Sequence, residues 1–140
     1  MKTYTLIAVT IVTLALLCYT VGTAAQLRTR KVSGSVVGFL AVGVVLDIVA
    51  TVFMILGSGK FLSLHGLLGY TALAGMVGEA VIAWRWRALH GETPITKGMS
   101  LYSRLAYGYW VIAFVSGGMM VAMARRAARA AAVLGGLLLA

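Results

Sequence analysis

Charged residues are sparse along the chain and divide it into four long apolar runs. Each run is about 20 residues long or longer, which is the length a helix needs to cross a bilayer. The charges that bound the runs are, in chain order, Lys2, Arg28, Lys31, Lys60, Arg85, Arg104 and Arg125. The pattern predicts four transmembrane helices, over residues 4–25, 35–56, 61–84 and 104–124.

Glycine and proline mark the connections between the runs. Gly57, Ser58 and Gly59 predict a tight turn between the second and third helices. Pro94, the only proline, lies in the polar segment 89–100, which is predicted to be the one real loop. Because the first two connections are short, we expect consecutive helices to be antiparallel. The predicted fold class is all-α, a transmembrane four-helix up-down bundle.

A basic and then apolar tail, residues 125–140, follows the predicted four-span domain, residues 1–124. Its apolar part, residues 130–140, is too short to span a bilayer. The tail is expected either to lie in the membrane interface, with its arginines as a polar face, or to form a weakly ordered end. The first run is interpreted as a retained helix, because a basic cluster follows it at once and is a poor flank for cleavage and export.

Composition places the chain in a membrane. Hydrophobic residues make up 61% and charged residues 11% of the sequence, and the mean hydropathy is +1.00. Soluble domains carry nearer 25% charged residues. The net charge of +9 is spread between apolar runs and forms no nucleic-acid patch, so the lipid bilayer is the expected partner. One cysteine, Cys18, excludes an internal disulfide, and no catalytic motif is present, which favours a non-enzymatic protein.

Lysine and arginine in the short connections predict the orientation. The side that carries segments 26–33 and 85–104 has seven of them, and the opposite side has five, three of which belong to the tail. The positive-inside rule places the richer side in the cytoplasm. We therefore expect a multi-pass protein of a bacterial inner membrane with its N-terminus outside.

Two titratable residues share one face of the third predicted helix. His65 and Glu79 are fourteen positions apart, which leaves them about 40° apart around a helix and roughly 21 Å apart along it. Small or flexible residues lie between them on the same face, namely Gly69, Ala72 and Met76. Glu79 is expected either to face Arg85 or Arg104, or to form the inner step of a proton relay.

Asp47 lies near the middle of the second predicted helix. An ionised carboxylate there costs roughly 2.5–3.5 kcal/mol, so protonation, a buried partner or bound water must compensate. Asp47 is either a hydrogen-bonded packing residue or a proton or ligand site. The expected partners lie on other helices: His65, Arg104, or tyrosines such as Tyr19, Tyr70 and Tyr107.

His65 admits three interpretations. It is an interfacial residue bonded to headgroups or loop carbonyls, a metal or haem ligand, or the outer step of a relay in which Asp47 is central and Glu79 inner. His90, the only other histidine, belongs to the opposite membrane side and cannot complete a bis-histidine pair with His65 in one subunit. Small residues offer sites of close helix packing: Gly34 and Gly38, Ala74 and Gly78, and Gly117 and Gly118.

The run LDIVATVFMILGSGKFLSLHGLLGYTALAGM, with Asp47 and the Leu64-His65-Gly66 motif, resembles the HsmA family of small bacterial four-helix membrane proteins, as does Trp110–Gly117. The likeness covers about residues 3–124 and implies an integral membrane protein more firmly than any activity. Many members have histidines where this chain has Glu79 and Ser100, so the stacked haem-ligand pair of b-type cytochromes is broken here.

Three functions stay open at this point. The first is a non-enzymatic HsmA-like protein, related to the envelope or accessory to a larger membrane complex. The second is an electron-transfer subunit resembling b-type cytochromes, with His65 as axial ligand of haem b, although no cofactor is predicted. The third is a proton-coupled small transporter that works through Asp47 and Glu79, as a homodimer because four spans are few for a transport path.

Overall fold

The computed structural model describes residues 2–59 and 63–138, and these form four helices. α1 is Lys2–Thr29, α2 is Gly34–Ser58, α3 is Leu64–His90 and α4 is Lys97–Leu138. All four are long and apolar enough to cross a membrane. The all-α transmembrane prediction is confirmed, although the predicted start of the third span, at Phe61, lies outside the described residues.

The helices pack as an up-down bundle. Each helix contacts the next one along the chain, and α4 closes the ring against α1. Residues of α1 and α2 meet in antiparallel order, since Gly57 lies against Thr5 and Gly43 against Tyr19. Among the described residues, no Cα atoms of the two diagonal pairs, α1 with α3 and α2 with α4, approach within 8 Å. Contacts across the bundle therefore depend on long side chains.

The helix ends at the turn side are built by side-chain and glycine caps. α2 runs through Ser58 and so includes the first two residues of the predicted Gly-Ser-Gly turn. Gly59, whose φ of 65° is left-handed, caps the helix. Glycine adopts this conformation at little cost. Ser63 then accepts a hydrogen bond from the backbone N–H of Gly66, which begins α3.

The opposite end of the bundle is here called the loop end. It contains two connections, residues 30–33 and 91–96, which contact each other. The backbone N–H of Ile95 donates to the carbonyl of Arg30 at 2.8 Å. Arg87 donates to Glu92 at 3.0 Å and to the carbonyl of Val32 at 3.4 Å. These contacts place segments 26–33 and 85–104 at the same end, as the four-span topology predicted.

α4 is much longer than the span predicted for it. It begins at Lys97, inside the predicted loop, and runs without interruption to Leu138. Its 42 residues reach about 63 Å, roughly twice the hydrocarbon thickness. The segment predicted as a tail is thus the last part of α4, apart from residues 139 and 140, which lie outside the described residues. The side chains of residues 118–134 are exposed.

Two of the predicted glycines, Gly78 and Gly117, lie against side chains of the neighbouring helix, and α1 packs on α2 through glycines that were not predicted. A methyl group added at Gly38 would meet no atom within 4 Å, whereas one added at Gly34 would lie 3.3 Å from a guanidinium nitrogen of Arg87, so only Gly34 of the predicted pair faces another helix. At Gly43 the same methyl would lie 3.0 Å from Tyr19 Cβ, and at Gly22 it would lie 3.1 Å from Leu40 Cδ2. Gly22 and Gly43 therefore set the close approach of α1 and α2.

Candidate functional site

The core of the bundle contains a set of polar side chains that are almost fully buried. They come from all four helices and are Thr23, Gln26, Asp47, Glu79, Ser100 and Ser103. Outside the core the surface is apolar, as lipid contact requires, with exposed side chains such as Leu6, Leu17, Val45, Leu56 and Ile112. Polar groups buried in such a bundle are expensive and mark functional sites by default.

Glu79 bonds across one diagonal of the bundle. Its side chain is 2% exposed, and the hydroxyl of the fully buried Tyr19, on α1, donates to its Oε2 atom. Ser103, on α4, lies close to this carboxylate. The predicted ion pair is not formed: Arg85 and Arg104 are exposed, and the only ion pair among the described residues joins Arg87 to Glu92.

Asp47 bonds across the other diagonal. Its side chain is 6% exposed, and Trp110 Nε1, on α4, donates to Oδ2 at 3.1 Å. No partner predicted from the sequence donates to Asp47. An indole N–H in the core must find an acceptor, so this single bond satisfies Trp110 as well as one carboxylate oxygen.

The two diagonal bonds meet at the centre of the bundle. The Tyr19 ring packs against the Trp110 ring, with centroids 5.6 Å apart and planes tilted by 55°. The Tyr107 ring also stacks on the Tyr19 ring, with centroids 6.2 Å apart, and the Tyr107 hydroxyl lies 3.0 Å from Thr20 Oγ1. Glu79, Tyr19, Trp110 and Asp47 thus form one continuous chain of contacts, here called the crossed network.

His65 lies apart from the crossed network. It is half-buried, and its Nδ1 atom is 3.4 Å from Ser116 Oγ. Its Cε1 and Nε2 atoms fill the space beside Gly117, where an added methyl would lie 2.7 Å from both. The histidine is therefore a packing contact between α3 and α4 near the turn end. His65 and Glu79, which were predicted to share one face of this helix, therefore lie in two separate environments.

The environment of His65 does not fit an axial haem ligand in a single chain. Both ring nitrogens face α4, so neither is directed at a space that an iron and its porphyrin can occupy. His90 lies at the opposite end of α3, where its ring stacks on Trp86 at 4.2 Å. Among the described residues, no three His, Cys, Asp or Glu side chains come together as a metal site.

The haem alternative has a direct spectroscopic test. Protein purified in mild detergent from haem-supplemented cells should give a reduced-minus-oxidised visible spectrum without an α-band, because the imidazole of His65 is packed against Gly117. A His65→Ala variant serves as the matched control and should give the same flat spectrum. An α-band that disappears in His65→Ala would contradict this expectation and restore the electron-transfer hypothesis.

Sequence reasoning named Tyr19 of α1 as a partner for Asp47 rather than for Glu79 and missed Thr23 and Gln26. Tyr19, Thr23 and Gln26 follow one another at spacings of four and three, which places them on one helix face. All three are at most 2% exposed. Their spacing in an otherwise apolar helix was the available signal. Threonine and glutamine are common enough in membrane helices that this spacing alone does not distinguish a buried polar face.

The fold and the site define a class: a four-span helical membrane protein with two buried carboxylates joined through aromatic side chains. Comparisons with protein-family models, with curated proteins and with solved structures find no match to this chain.

Proposed function

We propose that this chain is a non-enzymatic inner-membrane protein that couples its work to proton binding at Asp47 and Glu79. The observation that carries the proposal is the crossed network, in which both carboxylates are buried and each accepts from an aromatic donor on the diagonally opposite helix. A proton gained or lost at either carboxylate changes the bonds that hold diagonal helices together. Protonation and helix arrangement are thereby linked.

Several features support proton coupling over a purely structural role. A neutral hydrogen-bonding pair is sufficient to fix packing, whereas buried carboxylates in a membrane are costly and recur in proton pathways. Tyrosine at the centre of the network can both donate and accept a hydrogen bond. The order expected from the sequence, with Glu79 nearer the loop end, agrees with its contact to Ser103. His65 is not required in this scheme.

Proton flux in proteoliposomes tests the proposal. Wild-type protein should acidify or alkalinise the lumen when a potassium diffusion potential is applied, and Asp47→Asn should reduce the flux to that of protein-free vesicles. Asparagine keeps an oxygen acceptor for Trp110 Nε1, so the variant should stay folded.

Glu92→Gln is the control variant for this experiment. Glu92 is exposed and lies in the connection at the loop end, where it pairs with Arg87. Its removal should leave the flux unchanged. Unaltered flux in Asp47→Asn would show that Asp47 is not the coupling site, and absence of flux in the wild type would remove the proposal.

The proposed location is a bacterial inner membrane, with the loop end in the cytoplasm and the N-terminus outside. The basic residues of the two connections support this orientation. In a Cys18→Ser background, a membrane-impermeant maleimide should label Glu92→Cys only after the cells are permeabilised and should label Ser63→Cys in intact cells. The reverse labelling pattern would show that the loop end lies outside and the N-terminus in the cytoplasm.

The resemblance to the HsmA family is compatible with this proposal and adds a context for it. A small membrane protein without a soluble domain can act on the envelope alone, as a homodimer, or as an accessory to a larger complex. The long exposed part of α4, residues 118–134, offers surface for such an assembly. Proton coupling is the part of the proposal that the buried geometry supports.

A further inference from the structure

A second set of polar contacts lies beside Glu79, towards the loop end of the bundle. Gln26 Nε2 donates to Ser103 Oγ at 2.7 Å, and Ser103 lies close to the Glu79 carboxylate. Thr23 lies between Tyr19 and Gln26 on the same face of α1. Because its two neighbours contact Glu79 and Ser103, Thr23 faces the same part of the core. Thr23, Gln26, Glu79 and Ser103, here called the oxygen cluster, are at most 2% exposed.

Three oxygen atoms of the oxygen cluster have no hydrogen-bond partner among the described residues. They are Thr23 Oγ1, Gln26 Oε1 and Glu79 Oε1. A buried acceptor without a partner costs free energy in an apolar environment. Three such atoms from two helices, one of them a carboxylate oxygen, form an environment that favours a positively charged ligand.

We propose that the oxygen cluster binds a monovalent alkali cation, specifically sodium. Carboxylate, amide and hydroxyl oxygens are the ligands that hard cations take, and the cluster contains no sulfur or imidazole for a softer metal. One carboxylate balances one positive charge, whereas a divalent ion would leave a net charge inside the membrane. The inference rests on the proposed function only because both use Glu79.

The bonding at Glu79 predicts how sodium and protons interact. Tyr19 donates to Oε2, which leaves Oε1 as the oxygen open to a ligand. A proton on Oε1 and a sodium ion at Oε1 are mutually exclusive. Sodium binding should therefore compete with protonation of Glu79, and each should weaken the other by the same factor.

Retention of radioactive sodium by the purified, immobilised full-length protein tests the inference. Wild type should retain about one sodium ion per chain in choline buffer, and unlabelled sodium should displace it more effectively than potassium. Glu79→Gln should abolish retention because the balancing charge is lost. Gln26→Leu should weaken it about tenfold or more, which is about 1.4 kcal/mol. Glu92→Gln makes the same chemical change as Glu79→Gln at an exposed position outside the core, and this matched control should retain sodium as wild type does.

The outcomes separate this inference from the proposed function. No retention above a protein-free blank, or retention that Glu79→Gln and Gln26→Leu leave unchanged, overturns it. If gel filtration shows that either variant is misfolded, Thr23→Val replaces it, since valine matches threonine in shape and lacks Oγ1. Sodium retention without proton flux would contradict the proposed function and support the sodium site. Proton flux without sodium retention would contradict the sodium site and support the proposed function.

Discussion

Gly43→Leu is expected to separate α1 from α2 and to destabilise the bundle strongly. A methyl group at this position already lies 3.0 Å from Tyr19 Cβ and 3.2 Å from its backbone nitrogen, so a leucine cannot fit without moving α1. Overpacking of this kind costs about 1–3 kcal/mol. The displacement also moves the Tyr19 hydroxyl away from Glu79. We expect a lower free energy of unfolding, measured by titration with a denaturing detergent and followed by circular dichroism.

Gly38→Leu provides a matched control on the same helix. It makes the same chemical change, with the same gain in helix propensity, at an exposed position where a methyl would meet no atom within 4 Å. We expect a stability equal to that of wild type or up to about 1 kcal/mol higher, because leucine has the higher helix propensity. Equal destabilisation by both substitutions would show that α1 and α2 do not pack through Gly43.

Tyr19→Phe is expected to have the second large effect. The substitution keeps the ring that packs against Trp110 and removes only the hydroxyl that donates to Glu79. Glu79 then loses one donor in a buried site, at a cost of about 1–3 kcal/mol. The same unfolding titration measures the loss of stability. Loss of proton flux is also expected, because the chain of contacts to Asp47 is interrupted.

Tyr109→Phe is the control for the loss of a tyrosine hydroxyl. Tyr109 bonds to Thr71 at 2.7 Å, but both residues are exposed at the bundle surface. Its removal should cost less than about 0.5 kcal/mol. A cost for Tyr19→Phe no larger than that for Tyr109→Phe would mean that the Tyr19–Glu79 bond contributes little.

The four helices could be predicted from the sequence because few charges interrupt the apolar runs. The length of α4 could not, since Arg125 was taken as the end of a span. A charged residue ends the membrane-buried part of a helix without ending the helix itself. The alanine-rich residues that follow Arg125 have high helix propensity, and α4 continues through them to Leu138.

The buried carboxylates could be predicted, but their partners could not. In a membrane helix both the lipid-facing and the core-facing sides are apolar, so the sequence does not reveal which way a helix is rotated. Here the packing of α1 and α2 at Gly22 and Gly43 directs Tyr19 at Glu79. The sequence indicated a cation or a tyrosine as the partner of Asp47, whereas the donor is the indole of Trp110.

A double-mutant cycle between Tyr19 and Glu79 tests the crossed network most directly. The free energies of unfolding are measured for wild type, Tyr19→Phe, Glu79→Leu and the double variant under identical detergent conditions. The crossed network predicts that Tyr19→Phe costs about 1–3 kcal/mol in the wild type and close to nothing once Glu79 is leucine. Costs that add within about 0.5 kcal/mol would contradict it, because residues that do not interact contribute independently.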